Sequence, residues 1–144
     1  MDYEKLAIEF MEKMHLLKKA RPHRQINESM HGESFMLHYL SFQGNSALPS
    51  EISNIMGISS ARIAAALNSL ERKGLITRRI DPSDRRRILV DLTSEGKALA
   101  EERHRTMLEE TTTLLSMLGE QDAREYVRIT GKLAEAIAKC KERK

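Results

Sequence analysis

The chain has 144 residues, one cysteine, no tryptophan and a formal net charge of +3. Its length fits one compact domain with its own core. The single Cys140 excludes an intramolecular disulfide and favours a reducing cytoplasm. Since no run of about 18 apolar residues and no basic leader with an apolar stretch is visible, we expect neither a membrane span nor a secretory signal.

The first part of the chain predicts two helices. Apolar side chains recur at spacings of three and four over about residues 2–20, as in an amphipathic helix, and Pro22 should stop or bend it. Residues 21–33 are polar and hold Pro22 and Gly32, so they predict a connection that could include a short turn of helix. A second helix is expected near residues 34–42, and a turn at residues 43–46.

A pair of short helices joined by a glycine turn should follow. Pro49 and Ser50 open the first helix, with Ser50 as its expected N-cap. Ile52 and Ile55 should face inward, and Gly57 should end the helix, because a left-handed backbone costs least at glycine.

The second helix of the pair is expected over residues 60–73, with Ser59 as its N-cap. One stripe of apolar side chains should pack on the core: Ile63, Ala66, Leu67 and Leu70.

After Gly74 the apolar period changes from 3.6 to 2, which predicts paired strands at residues 75–80 and 87–92 with a turn at 81–84. We call this hairpin, residues 75–92, the wing. Five of the ten side chains from residue 78 to residue 87 are arginines, and guanidinium groups suit phosphate and groove contacts. Residues 58–93 hold eight basic and four acidic side chains. This window carries +4 and the rest of the chain −1, so the positive field is local.

Two long helices should complete the chain. Thr93 is the expected cap of a helix from Ser94 to about Leu118, and Gly119 should break it. The last helix, about residues 121–141, carries an apolar stripe: Tyr126, Ile129, Leu133, Ile137 and Cys140. On that stripe we expect Cys140 to be a small buried hydrophobe rather than a redox sensor.

Helix, turn, helix and hairpin in this order predict a winged helix, in which the second helix enters the major groove of DNA. Over almost its whole length the chain resembles the MarR (multiple antibiotic resistance regulator) family of bacterial transcription factors. The family's wing pattern, Asp-x-Arg, five residues and Leu-Thr, is met by Asp84, Arg86, Leu92 and Thr93. Residues 70–76, Leu-Glu-Arg-Lys-Gly-Leu-Ile, also match the family.

The resemblance implies that Arg86 is the wing arginine that enters the minor groove, where negative potential is concentrated. Asp84 would orient an arginine by a charge-assisted bond, or simply form the turn. Where the family usually has Thr and Arg on the reading face, this chain has Ala64 and Ala65. Arg62 could read a guanine or bind a phosphate, and the two roles remain open. The full set of expected DNA contacts is Ser59, Ser60, Arg62, Asn68, Arg78, Arg79, Arg85, Arg86 and Arg87.

The apolar stripes of the terminal helices are longer than a small core can cover, which favours a homodimer over a monomeric bundle. The resemblance supports this choice. The predicted architecture is therefore mainly α with a small β-hairpin: a winged helix-turn-helix core at about residues 34–100, flanked by dimerisation helices at about 2–20 and 105–142. Such a dimer could place two recognition helices on a palindromic operator, about 34–36 Å apart.

The family usually senses a small molecule, an oxidant or a metal. Four residues where the terminal helices would meet the core are core positions by default and could instead contact an effector: Met14, Phe35, Tyr39 and Met107. The five histidines (His15, His23, His31, His38 and His104) show no clear ligand spacing, so we expect no metal and no cofactor.

We therefore expect a dimeric, sequence-specific DNA-binding transcription regulator, a repressor whose DNA affinity a small-molecule effector modulates. The alternative is a winged-helix protein-interaction module that does not bind duplex DNA. An enzyme is not expected, because the sequence has no Gly-rich phosphate loop and no Ser/His/Asp pattern.

Overall fold

The structure, a computed structural model, describes residues 1–20, 28–44 and 46–142, with the backbone alone for residues 28–31. These residues form six α-helices and a two-stranded antiparallel sheet. In chain order the elements are α1 (Tyr3–Lys19), α2 (Glu28–Gln43), α3 (Pro49–Met56), α4 (Ser60–Arg72), β1 (Ile76–Ile80), β2 (Ile88–Leu92), α5 (Ser94–Ser116) and α6 (Glu120–Glu142). The predicted class, mainly α with one small hairpin in a winged helix arrangement, is confirmed.

α2 begins earlier than the sequence predicts. Residues 28–33 of the expected connection are helical, and they belong to α2 itself rather than to a separate short turn of helix. The polar side chains there gave no apolar period, yet Glu33 is buried, because the Lys73 Nζ donates a hydrogen bond of 2.7 Å to its carboxylate. Residues 21–27, including Pro22, and Asn45 of the predicted turn lie outside the described residues.

α3 corrects two expectations. Its N-cap position is Leu48 and not Ser50, because proline, with its fixed φ and missing N–H, fits the first helical position, and here that residue is Pro49. Ile52 is fully buried, but Ile55 is 53% exposed. The inward face of this short helix carries Ile52 and Met56, which are four residues apart. Met56, rather than Ile55, therefore packs on the core.

The turn into α4 has the expected chemistry. Gly57 ends α3 with a φ of 65°, in the left-handed region that glycine adopts at little cost. The Ser53 hydroxyl donates a hydrogen bond of 2.7 Å to the Ile58 carbonyl inside the turn. Ser59 is the N-cap of α4, and its hydroxyl oxygen accepts a bond from the Arg62 backbone N–H at 3.3 Å.

The wing is an antiparallel hairpin in which Ile76 pairs with Leu92 and Ile80 with Ile88. Each strand is one residue shorter than predicted. Residues 81–87 connect the strands, and we call them the wing tip. On its other edge β2 is joined to the core by Ala47, whose backbone exchanges hydrogen bonds with Val90 at 3.0 and 2.8 Å.

Thr93 joins the wing to α4 and α5. Its hydroxyl donates to the Gly74 carbonyl at 2.7 Å and accepts from the Gly96 N–H at 3.0 Å, so the predicted cap is confirmed. Gly96 is buried so closely against the wing that an added Cβ would lie 2.0 Å from the Leu75 carbonyl oxygen. The first turn of α5 is therefore pressed onto the base of the wing.

The apolar core is built by α2, α3, α4, the wing and the start of α5. Its buried members are Met36, Leu37, Leu40, Ala47, Ile52, Ile63, Leu67, Leu70, Ile76, Val90 and Ala100. Each large side chain fully buried here contributes about 1.5–3 kcal/mol by leaving water. The core lies within the range 34–100 predicted for the winged unit, whereas α1 and α6 contain no buried residue.

Cys140 corrects a further expectation, because it is exposed in the single chain. The other members of its stripe on α6, Tyr126, Ile129, Leu133 and Ile137, are each at least half exposed. None of the described helices is both long and apolar enough to cross a bilayer.

Candidate nucleic-acid interface

α4 presents a face of small and polar side chains away from the core. Ile63, Leu67 and Leu70 are buried, and the 3.6-residue period then turns Ala61, Ala64, Ala65 and Asn68 outward. Because the side chains of the three alanines are short, an opposing surface can approach the helix backbone closely. A methyl group can contact the methyl of thymine, whereas hydrogen bonds must come from the polar side chains.

The first turn of α4 supplies the other predicted contacts on this helix. Ser60 and Arg62 are exposed, and Arg62 lies on the flank of the outward face. A helix N-terminus carries partial positive charge and free N–H groups, which favour a phosphate. The Ser59 hydroxyl oxygen already caps the helix, so its remaining contribution to an anion is its proton.

The wing tip is folded by its own carboxylates. The Asp81 side chain accepts hydrogen bonds from the Ser83 N–H at 2.9 Å and the Ser83 hydroxyl at 2.7 Å. The Arg87 N–H donates to the Asp84 carbonyl at 2.9 Å, and the Asp81 N–H donates to the Arg87 carbonyl at 3.0 Å. The hydrogen bonds of Ser83 lower the pKa of Asp81, so its carboxylate stays ionised and the turn stays closed.

Asp84 holds Arg86 at the wing tip. Its Oδ1 accepts from the Arg86 backbone N–H at 3.1 Å and from Arg86 Nε at 3.2 Å. Arg87 Nε lies 3.6 Å from the other carboxylate oxygen. The same hydrogen bonds lower the pKa of Asp84. The Arg86 side chain is nevertheless 91% exposed. Asp84 therefore orients the guanidinium through Nε while most of the side chain stays accessible to solvent.

The two arginines of β1 are paired with carboxylates, and their side chains are 28% exposed for Arg78 and 50% for Arg79. Arg78 Nε and Nη2 donate to the two carboxylate oxygens of Glu71 on α4 at 3.1 and 3.2 Å, and Nη2 also donates to Asn68 Oδ1 at 2.5 Å. Hydrogen bonding to Arg78 lowers the pKa of Glu71 and raises that of Arg78. The guanidinium therefore joins strand β1 to the outward face of α4.

Arg79 is held on the opposite side of the wing. Its Nε donates to Asp91 Oδ2 at 2.8 Å and its Nη2 to the Ser46 hydroxyl at 2.8 Å. Ser46 in turn donates to Asp91. Burial alone would raise the pKa of Asp91, but the bonds from Ser46 and Arg79 outweigh it, and the pKa is lowered.

The nine predicted DNA contacts therefore fall into three groups. Ser59, Ser60 and Arg62 lie at the start of α4. Asn68, Arg78 and Arg79 belong to hydrogen-bonded networks at the base of the wing. At the wing tip Arg85, Arg86 and Arg87 are exposed, and Asp84 pairs with Arg86 and Arg87; three arginines against the two carboxylates Asp81 and Asp84 give the tip a local positive charge.

The sequence analysis missed the two networks at the base of the wing. The hairpin register was a usable signal for one of them. Thr77 pairs with Asp91 and Arg79 with Leu89, so Arg79 and Asp91 are diagonal neighbours on one face of the sheet. Pairing between Arg78 and α4 depends on the angle between helix and strand, which no local pattern reports.

The predicted effector residues are distributed over three helices: Met14 on α1, Phe35 and Tyr39 on α2, and Met107 on α5. A shallow apolar groove of about 480 Å³ includes Met14, but α1 alone lines it. Met14, Phe35 and Met107 are each at least 40% exposed in the single chain. Of the four predicted side chains, this groove includes Met14 and is not lined by the other three.

Two of the five histidines lie together. The rings of His38 on α2 and His104 on α5 are stacked, with centroids 5.5 Å apart and planes at 17°. The side chains of His23 and His31 lie outside the described residues. In the part of the chain that the structure describes, no three side chains among His, Cys, Asp and Glu are placed to hold a metal ion.

Comparison with known proteins gives one family model, that of the MarR family, which matches residues 32–87. Among curated proteins the chain is 27% identical over 94 residues to the HTH-type transcriptional repressor YetL of Bacillus subtilis. The aligned part covers 65% of this chain and 56% of YetL.

Solved structures match over nearly the whole chain. The YusO protein of Bacillus subtilis is 29% identical, with a TM-score of 0.69, over 94% of this chain and 99% of its own. Streptococcus pneumoniae FabT, solved in complex with DNA, is 20% identical, with a TM-score of 0.68, over 98% of both chains. At that identity FabT supports the fold alone, and the fold includes the wing and both terminal helices.

Proposed function

We propose that the chain is a member of the MarR family, whose model matches residues 32–87, and that it is a transcription regulator that binds double-stranded DNA through α4 and the wing. Its curated relative YetL is named a transcriptional repressor. The observation that carries the proposal is the wing tip, where Arg86 is 91% exposed yet held by Asp84. Nothing in the core requires an oriented arginine there, whereas a narrow minor groove attracts one.

The DNA contacts that we propose fall into two groups, one for each groove of the duplex. The start of α4 (Ser59, Ser60 and Arg62) would bind phosphate or base edges in the major groove, and the wing tip (Arg85, Arg86 and Arg87) would bind the minor groove and its phosphates. FabT, which has the same fold, was solved with DNA bound.

We further propose that the protein acts as a homodimer on a palindromic operator in the cytoplasm. Large apolar side chains on α1 and α6 are exposed in the single chain, among them Tyr3, Phe10, Met11, Ile129, Leu133 and Ile137. A monomer seldom tolerates apolar patches of this extent. A two-fold partner would cover them and place two α4 helices on successive major grooves.

Repression, with release by a small molecule, completes the proposal. Its support is the likeness to YetL, which is a repressor. The effector would lie near Met14, Phe35, Tyr39 and Met107, in a space closed by the second subunit. A compound that binds there should raise the melting temperature and change operator affinity over the same concentration range. A compound that does only one of the two would count against this site.

The wing assignment is tested with Arg86→Ala. Operator affinity should fall, and the slope of log affinity against log salt should decrease by about two, because the proposed dimer loses one phosphate-region contact at each of its two wings. Fluorescence anisotropy over a salt series measures both quantities. Arg124→Ala is the matched control, since it removes an exposed arginine, 79% accessible, from α6.

Two results would contradict the proposal. If Arg86→Ala and Arg124→Ala behave alike, the wing does not contact DNA. If the unmodified protein shows no salt-dependent binding to its own upstream region, the alternative of a protein-interaction module is favoured.

A further inference from the structure

Asn68 lies near the middle of the outward face of α4. Ala64 and Ala65 precede it by one turn and Ala61 by two turns, all on the same side of the helix. On the side toward the helix N-terminus, this face therefore carries no side chain longer than that of alanine between Asn68 and an opposing surface. If α4 lies in the major groove, Asn68 is well placed to reach a base edge.

Arg78 determines which end of the Asn68 amide faces outward. Its Nη2 lies 2.5 Å from Asn68 Oδ1. A guanidinium has donors only, so the amide atom that faces it must be the oxygen, and the NH₂ group must point away. The assignment of oxygen and nitrogen is thus fixed by chemistry.

Glu71 keeps the guanidinium in place. It accepts from Arg78 Nε and Nη2 at 3.1 and 3.2 Å, a two-bond pairing that fixes the plane of the group. If the amide rotated by half a turn, its NH₂ group would meet another donor while Glu71 held the arginine still. The rotated amide would lose a charge-assisted hydrogen bond.

We propose that Asn68 reads base edges as a hydrogen-bond donor only, and that Arg78 is the positioning residue that imposes this polarity. The proposal rests on the proposed function and deepens it. A free asparagine favours adenine, because it offers one donor and one acceptor to N7 and N6. With its oxygen turned toward Arg78 and its NH₂ group turned outward, Asn68 suits guanine, whose edge presents two acceptors, N7 and O6.

This inference changes the role of Arg78, which the sequence analysis placed among the DNA contacts. Its side chain is 28% exposed and is held by α4, so it acts through Asn68. The three exposed arginines of the wing tip do not share this arrangement, and the proposal leaves their role unchanged.

The test is selection of binding sites from a random duplex library. The unmodified protein should select guanine at one symmetric pair of positions, and Asn68→Ala should abolish that preference alone. Arg78→Met releases the amide, so the same position should admit adenine, with guanine-over-adenine discrimination falling by about five- to 150-fold. Arg78→Lys keeps a donor and should retain guanine.

The matched control is Arg128→Met, which breaks a two-bond arginine–glutamate pair of the same geometry on α6 and should leave base preference unchanged. If Arg78→Met does not fold, Asn68→Asp serves instead. It keeps an oxygen toward Arg78 and removes both amide donors, so the guanine preference should again disappear.

Several results would overturn the proposal. One is an even loss of affinity on all sequences in Arg78→Met with the base preference kept, since Arg78 would then be a phosphate ligand. A preference for adenine at the Asn68 position in the unmodified protein, or an unchanged selection by Asn68→Ala, is another. Absence of any salt-dependent duplex binding is a separate outcome, and it refutes the proposed function together with this inference.

Discussion

Asp84 is the residue on which the geometry of the wing tip depends most directly. Its carboxylate accepts two hydrogen bonds from Arg86 and lies near Arg87, and its lowered pKa keeps it charged. An arginine oriented before binding loses less side-chain entropy when it enters a groove. If the wing tip binds DNA as proposed, the carboxylate of Asp84 also places a negative charge near the duplex. It should then weaken nonspecific attraction while it favours the correct orientation of Arg86.

We expect Asp84→Ala to lower the ratio of operator affinity to random-DNA affinity severalfold. Binding to random duplex should strengthen, because the tip gains one positive charge, while Arg86 loses its orientation. Competition between operator and random duplex measures the ratio. Asp122→Ala makes the same charge change on α6 and should not alter it. An unchanged ratio in Asp84→Ala would mean that Asp84 only forms the turn.

At the scale of elements, the contact between α5 and the wing leaves no room for a side chain. We expect Gly96→Ala to lower the free energy of unfolding by about 1–3 kcal/mol or more, because its Cβ would lie 2.0 Å from the Leu75 carbonyl oxygen. Gly131→Ala on α6 meets nothing within 4 Å and should raise stability by about 0.5–1 kcal/mol. Urea unfolding compares the two. Equal effects would show that the contact at Gly96 is not tight.

The ion pair between α2 and the end of α4 should make stability depend on pH. Burial alone would raise the pKa of Glu33, but hydrogen bonds from Lys73 and Ser69 and the charges of Lys73 and Arg103 lower it below 4.5. A lowered pKa means that this contribution is present above the unfolded value and is lost as pH falls through the folded value. The relevant window therefore lies below pH 4.5.

Glu33→Gln is the test of this pair. At neutral pH the variant should be less stable by about 1–2 kcal/mol, because a charge-assisted hydrogen bond becomes a neutral one. Below pH 4.5 the difference should shrink, since Glu33 becomes protonated in the unmodified protein as well. Urea unfolding at several pH values measures it. A difference that stays constant with pH would exclude the proposed linkage.

The sequence predicted the elements well and their tertiary contacts poorly. Gly57, Ser59 and Thr93 were assigned correctly, because glycine turns and N-caps are local chemistry. Ile55 was assigned wrongly, because the inward row of a two-turn helix depends on what it packs against. The early start of α2 was missed for the same reason, since the burial of Glu33 depends on Lys73, 40 residues away.

The candidate interface shows the same difference between features that local sequence determines and features that depend on tertiary contacts. The charge of the wing and the Asp84–Arg86 pair follow from a short stretch of sequence, and both are present in the structure. The pairing of Arg78 with Glu71 and of Arg79 with Asp91 depends on their positions in three dimensions. Composition therefore predicted where the positive charge is, but not how each arginine is paired.

At the scale of the whole molecule, the exposed stripe of α6 should control assembly. We expect Leu133→Glu to shift the protein toward monomer and to weaken operator binding, because a charge would be buried in the subunit interface. Ala138→Glu introduces the same side chain on the opposite face of α6 and should leave the dimer intact. Light scattering with size-exclusion chromatography measures the mass. A monomeric unmodified protein, or a fully dimeric Leu133→Glu, would contradict the assembly.

Because Gly96 packs on the wing without room for a Cβ, a movement of α5 should be transmitted to the wing. The 23 residues of α5 form a rod of about 35 Å that is clamped to the wing at one end and joined to α6 at the other. Over that length a tilt of about 10° sweeps the clamped end through about 6 Å, roughly the width of a minor groove. A small change in the orientation of α5 at its junction with α6 would therefore be enough to move the wing-tip arginines out of the minor groove to which we propose that they bind.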